Sequence, residues 1–153
     1  KAYQRMKTDK KLVIVGGGSY TDGYAEKLHQ MAEADDRIVF TGVQKVKMLQ
    51  EWFSNAYAFI QPSYAEGMSL VLLEAMGYGL PIVASDIPEN KEPLKDNGTY
   101  FRTGNISKLV ERLRVIFSNK KYARNLGIKA RKAIRTIYHW DRHVERLSEV
   151  YFV

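Results

Sequence analysis

The sequence predicts an α/β protein with a doubly wound parallel sheet, and three observations carry that expectation. Short runs rich in β-branched and aromatic residues alternate with segments of helical period along most of the chain. Those runs are continuously apolar, as strands covered on both faces are, instead of alternating apolar and polar. Most of them stop at Gly, Pro or a small polar residue, the punctuation of strand-to-helix turns.

In chain order, Lys1 to Thr8 reads as the end of a helix, with Ala2, Tyr3 and Met6 on one face. Lys11 to Val15 is a strand closed by Gly16-Gly17-Gly18-Ser19. Asp22 to Ala34 is a helix with Tyr24, Ala25, Leu28, Met31 and Ala32 on one stripe. Arg37 to Thr41 is a second strand, ended by Gly42. Lys45 to Asn55 is a helix, and Ala56 to Gln61 a third strand, stopped by Pro62-Ser63. An apolar run beginning near Ser69 reads as a buried helix, followed by Gly79-Leu-Pro and the strand Ile82 to Ser85. Asp86 to Gly98 is turn-rich, and Thr99 to Phe101 is a short extended piece. Ile106 to Phe117 then has clear helical spacing with Asn105 as its N-cap. Two basic helices, about 120–137 and 139–152, close the chain.

At 153 residues the chain is one domain's worth of sequence, and residues 1–153 are taken as a single domain whose basic helical part is 101–153. Because it starts inside a helix, the central strand that should precede that helix is expected to be missing. Strands 12–15 and 56–61 would then have a gap between them, as in a fragment of a longer protein, unless another segment supplies that strand.

With no cysteine there is no disulfide framework and no thiolate ligand or nucleophile. No apolar run approaches the ~20 residues of a membrane span, and the N-terminus has no signal-peptide pattern. The expectation is a cytoplasmic chain with no span or export signal of its own. The net charge of +7 is unevenly spread: residues 1–100 hold 11 Lys+Arg against 13 Asp+Glu, and residues 101–153 hold 13 against 4. Such a basic third is either a solvated helix face or a contact for an anionic surface, a membrane or nucleic acid.

Parallel sheets of this kind bind ligands beyond the C-terminal ends of their strands. Those ends are Gly16–Ser19, Gly42–Gln44, Gln61–Glu66 and Ser85–Pro88. The glycines at 16–18 do not form G-x-G-x-x-G, since position 21 is Thr, so a dinucleotide is disfavoured and a turn lining a ligand cleft is expected. The sharper signal is Glu66-Gly67 ahead of a helix, with Glu74 eight positions on. Ser69 is placed as N-cap, so the amides around Met68, Ser69 and Leu70 are free to hold an anion such as a diphosphate. Glu74, among Leu70–Leu73, Ala75 and Met76, is expected not to be simply solvated; it could accept hydrogen bonds from two ribose hydroxyls.

This stretch resembles the C-terminal, nucleotide-sugar-binding half of retaining, two-domain (GT-B) glycosyltransferases of the group 1 or family 4 type. The matching residues are Pro62-Ser63, Glu66-Gly67 with E-x7-E spacing to Glu74-Ala-Met, and Gly79-Leu-Pro-Ile-Val-Ala-Ser-Asp86. Leu12 to Gly17, Ile38 to Gly42, Ile87-Pro-Glu-Asn90 with Glu92, and Trp140 followed by Tyr151 extend the resemblance over nearly the whole chain. The details are similar to bacterial capsule and exopolysaccharide enzymes.

The resemblance implies a Rossmann-like fold and transfer of a hexose from a UDP- or GDP-linked sugar to a saccharide or lipid-linked acceptor, without metal or cofactor. It implies that Glu66 acts at the sugar, that Gly67 and the Met68–Leu70 amides hold the diphosphate, and that Glu74 binds the ribose. Gly42-Val43-Gln44 would flank the base, and Gly16 and Gly17 would line the donor cleft. The family's diphosphate-neutralising Arg and Lys have no match here, since Arg5, Lys10 and Lys11 are out of register. The acceptor-binding N-terminal domain is absent as well, so the isolated chain is expected to be inactive.

Two other readings stay open: a sugar-nucleotide epimerase of the same fold, and a non-catalytic module docking on an anionic surface. A peripheral contact with the inner face of an anionic membrane is compatible with the transferase reading too. There is no D-x-D pair, and His139 and His143 lack an evident third metal ligand. The basic helices show no helix-turn-helix pattern, so specific nucleic-acid reading is not expected.

Overall fold

The computed structural model describes residues 1–17, 22–138 and 140–151, apart from the side chains of Asp22, Trp140, Arg142 and His143. The strands are β1 (Leu12–Val15), β2 (Ile38–Gly42), β3 (Phe59–Gln61), β4 (Ile82–Ser85) and β5 (Thr99–Phe101). The helices are α1 (Asp22–Ala32), α2 (Val46–Asn55), α3 (Leu70–Tyr78), α4 (Pro88–Leu94), α5 (Ile106–Ser118), α6 (Lys120–Ile137) and α7 (Trp140–Tyr151). Every strand pairing among them is parallel, as the continuous apolar runs require. The strands form two sheets, β1-β2 and β3-β4-β5.

The chain divides into two compact units, Lys1–Ser54 and Asn55–Val153. In the first, β1 and β2 run in register from Leu12 opposite Ile38 to Ile14 opposite Phe40, and the register then shifts before Val15 meets Gly42. The expected helix end at Lys1–Thr8 is only one 3-10 turn, Tyr3–Arg5. Tertiary bonds tie the segment down more than helix propensity does. Arg37 grips Asp35 with two 2.8 Å hydrogen bonds, donates to the Met6 and Thr8 carbonyls, and lies over the Tyr3 ring.

In the second unit β4 is central and wholly buried, flanked by β3 and β5. Leu72, Ala75 and Met76 of α3, Leu94 of α4, Leu113 and Ile116 of α5 and Ala130 of α6 are buried with it, each 0–1% exposed. Asn105 caps α5, accepting from the Lys108 amide at 2.9 Å as expected, and Asn119 does the same for α6 through Tyr122. The stretch 86–98 is not merely turns. Pro88 opens α4 at its first position, where no amide bond is lost, and Pro93 sits inside it. Two prolines in seven residues disguised a helix.

α3 ends on Gly79, whose φ of 74° is left-handed and whose amide donates to Ala75 and Met76. There α3 meets α6 backbone to backbone. A Cβ on Gly127 would lie 2.0 Å from the Gly79 carbonyl oxygen.

Candidate functional site

Three strand ends of the second unit build the site. Gln61, the last residue of β3, is only 6% exposed. Its Nε2 donates to Glu66 Oε1 at 2.6 Å, with Ser63 Oγ at 3.1 Å and Ser69 Oγ at 3.2 Å. One amide has two hydrogens, so they are shared among three acceptors, and the short contact to the carboxylate takes the larger share. Ser63 Oγ also donates to Glu66 Oε1, at 2.5 Å. Glu66 is thus anchored through one oxygen, and Oε2 has no partner among the described residues.

Beneath this lies a buried relay. Ser85, at the end of β4, donates to the Ser63 carbonyl at 2.6 Å and accepts from Asn90 Nδ2 at 2.9 Å. Ser85 and Asn90 are fully buried, and Asn90 Oδ1 has no hydrogen-bond partner among the described residues. α4 therefore braces the Ser63 loop that holds Glu66. Directly after Ser85, Asp86 Oδ1 accepts from the amide and hydroxyl of Thr103, just beyond β5, both at 2.9 Å. Those hydrogen bonds hold the Asp86 carboxyl below the usual carboxylate range.

The helix start is arranged differently from the expectation. Ser69 occupies the N-cap position with extended backbone, but its hydroxyl faces Gln61 and does not cap. The first amides of α3 therefore lack even that partner. The Leu72 and Leu73 amides donate to the Ser69 carbonyl, while those of Met68, Ser69, Leu70 and Val71 have no acceptor among the described residues. Such a cluster, at the positive end of a helix dipole, suits an anion.

α3 is buried on one face only. Leu72, Ala75 and Met76 point inward, whereas Leu70 is 67% and Met68 72% exposed. Glu74 lies on the open face and is exposed, with no hydrogen-bond or ion-pair partner among the described residues. The expectation that apolar neighbours would envelop it is corrected. Its position four residues after Leu70 puts it on the same side of the helix as the exposed residues.

In the first unit the glycines act as backbone devices. Gly16, with φ 126°, donates to the Gly42 carbonyl at 2.9 Å, and Gly42 has φ 65°, so both positions favour glycine. A Cβ on Gly17 would lie 3.3 Å from Cγ2 of Val43, which is 81% exposed. Gln44 folds back to donate to the Thr41 carbonyl. The rest of the glycine loop, and His139 of the weighed histidine pair, lie outside the described residues, as does the His143 side chain. Among the described residues no group of three or more His, Asp or Glu could hold a metal ion.

Sequence reasoning named Glu66 and Glu74 but gave no role to Gln61, Ser63, Ser85 and Asn90. A glutamine ending an otherwise apolar strand was the available signal, since a buried side-chain amide needs partners.

Residues 1–133 match the family described as "Glycosyl transferases group 1". The chain is 31% identical over 137 residues to sulfoquinovosyl transferase SQD2 of Arabidopsis thaliana, covering 85% of this chain and 25% of that protein. It is 24% identical over 147 residues to a GDP-mannose-dependent phosphatidylinositol monomannoside mannosyltransferase of Mycobacterium tuberculosis, covering 90% and 38%. The crystal structure of Anabaena Alr3699/HepE in complex with UDP-glucose superposes with a TM-score of 0.85 at 19% identity, covering 97% of this chain and 43% of that one. The chain thus spans less than half the length of these relatives, and its fold is that of a C-terminal GT-B half. With its family pattern matched over residues 1–133, the chain belongs to the group 1 glycosyltransferases.

Proposed function

We propose that this chain is the donor-binding part of a retaining glycosyltransferase that takes a UDP- or GDP-linked sugar and uses no metal ion. One observation carries the reading. Free amides at the start of α3 lie between an anchored carboxylate, Glu66, and an exposed one on the same helix, Glu74. The diphosphate would sit on the amides around Met68, Ser69 and Leu70, with Gly67 letting the backbone come close. Glu74 would accept from two neighbouring ribose hydroxyls, a use consistent with its having no protein partner.

In the transfer step the bond from the anomeric carbon to the β-phosphate oxygen breaks and a bond to the acceptor oxygen forms on the same face. The acceptor's proton passes to the departing phosphate. Glu66, with Oε1 tied to Gln61 and Ser63, would present Oε2 to the positive charge growing on the sugar ring. The acceptor would be a saccharide or a lipid-linked sugar. The relatives' names support both bases, GDP in the mycobacterial mannosyltransferase and UDP in the Anabaena complex.

The test is nucleotide titration of the full-length enzyme with UDP and with GDP. Glu74→Ala should weaken the preferred nucleotide by roughly 10-fold or more, since hydrogen bonds to a charged group contribute about 1.5–3 kcal/mol. Glu66→Gln should leave nucleotide affinity intact while lowering kcat. Unchanged affinity in Glu74→Ala refutes the ribose assignment. The isolated 153-residue chain should show no turnover.

A further inference from the structure

We infer that the outward face of α6 is a docking surface for an anionic lipid bilayer. Its 18 residues carry seven Lys and Arg and no Asp or Glu. Helical period sorts them cleanly. Ala123, Leu126, Gly127 and Ala130 are buried, and Lys121, Arg124, Ile128, Arg131, Lys132 and Arg135 form the opposite, exposed face. That face is about 27 Å long at the usual helical rise.

None of these cations is neutralised: among the described residues every ion pair lies elsewhere. The neighbouring helices differ. α5 pairs Lys108 with Glu111 at 2.8 Å, and α7 mixes Asp141, Glu145 and Glu149 with its basic residues. The uncompensated charge is therefore a property of α6 and not of the whole C-terminal third.

The row is also not purely polar. Ile128 stands in its middle, 56% exposed. An open depression of about 460 Å³ runs along Ile128, Arg131, Lys132, Arg135 and Thr136. Cations flanking an exposed aliphatic side chain match a surface of anionic headgroups over acyl chains, where the cations meet phosphates and the isoleucine enters the boundary. A nucleic acid would use the cations but offers the isoleucine nothing, and no aromatic ring stands in the row for a base to stack on. No residue of α6 takes part in the donor site proposed above, so the two readings stand or fall separately.

The test is sedimentation of the full-length enzyme with phosphatidylcholine vesicles containing about one-third phosphatidylglycerol, at about 50 mM and about 300 mM salt. Binding should be strong at low salt, fall steeply at high salt, and be absent on pure phosphatidylcholine. The variant Arg124→Gln/Arg131→Gln/Arg135→Gln should partition about 100-fold more weakly, each cation near an anionic surface contributing a factor of about five. The control Lys11→Gln/Lys45→Gln/Lys47→Gln removes three exposed cations from the first unit and so lowers the net charge by the same three. It should bind within about twofold of the parent, because it leaves the α6 row intact. Ile128→Ser should lose about fivefold on vesicles. Equal losses in the two triple variants, full binding by Ile128→Ser, or tighter binding to a short DNA duplex than to vesicles at the same salt would each overturn the inference.

Discussion

The seam between α3 and α6 makes a quantitative prediction through Gly127. An added Cβ would lie 2.0 Å from the Gly79 oxygen, 2.9 Å from the Gly79 carbonyl carbon and 3.3 Å from the Leu80 carbonyl carbon. Ordinary contacts begin at 3.4 Å, so α6 would have to withdraw by 3.4 − 2.0 Å, or 1.4 Å, along that direction. The obstacle cannot rotate away, because it is backbone: Gly79 is the left-handed cap of α3, held by its bonds to Ala75 and Met76. Overpacking of a close-packed contact costs about 1–3 kcal/mol, and a full clash with backbone belongs at or above the top of that range. Replacing a mid-helix glycine by alanine returns about 1 kcal/mol of propensity. Gly127→Ala should therefore lose about 2 kcal/mol, which lowers Tm by roughly 4–8 °C for a domain of this size. Thermal denaturation of the chain followed by circular dichroism measures it. A Tm equal to or above that of the parent chain would mean that helix propensity wins and that the helices do not meet at this distance.

Two further outcomes follow from the site. Ser63→Ala removes a 2.5 Å hydrogen bond from Glu66 but leaves the amides of α3 untouched. In the full-length enzyme it should lower kcat about 10-fold with little change in nucleotide Kd, the size of one hydrogen bond to a charged group; a loss confined to Kd would contradict the assignment. Asp86 is held below its ordinary pKa of 3.8 by the two Thr103 bonds, so it stabilises the folded chain above that value and the contribution disappears as pH falls through the lowered folded-state pKa. Asp86→Asn should thus melt lower than the parent near pH 7, and the difference should shrink as pH falls below 3.8 and through the lowered folded-state pKa in a series of thermal melts; a constant difference across that range would exclude Asp86 as its source.

The fold was legible because its signals are local. Four apolar runs bounded by Gly, Pro or small residues gave four strands, and the spacing through Ile106, Leu109, Val110, Leu113 and Ile116 gave α5 with its Asn105 cap. Where tertiary structure overrides local signal, the reading failed. The segment Pro88–Leu94 contains two prolines and little periodicity, yet it forms a helix because Leu94 and Asn90 are wholly buried and anchor it. Lys1–Thr8 has a helical stripe, but only one 3-10 turn forms where the Arg37 side chain takes the Met6 and Thr8 carbonyls. The apolar run in α3 hid the sidedness of the helix. A run of Leu-Val-Leu-Leu has no polar face to mark which side is open.

The site divides along the same line. Glu66 and Glu74 could be found from spacing because one helix start relates them. The residues that hold Glu66 could not, since Gln61, Ser63, Ser85 and Asn90 come from two strand ends, a loop and a helix that only the folded sheet brings together. Their arrangement changes what Glu66 is. Taken from sequence, it is a carboxylate on a loop, free to adopt many rotamers. In the fold, two donors share one of its oxygens, and a relay through two fully buried side chains fixes the loop that supplies one of those donors. Holding a carboxylate in place before the sugar develops charge removes reorganisation from the transition state, which is where preorganised electrostatics lower a barrier. The buried Asn90 Oδ1 has no hydrogen-bond partner among the described residues, an arrangement that costs stability wherever no water reaches it. A chain selected for stability alone would place an apolar side chain there, so the relay is better explained by what it does for Glu66 than by what it does for the core.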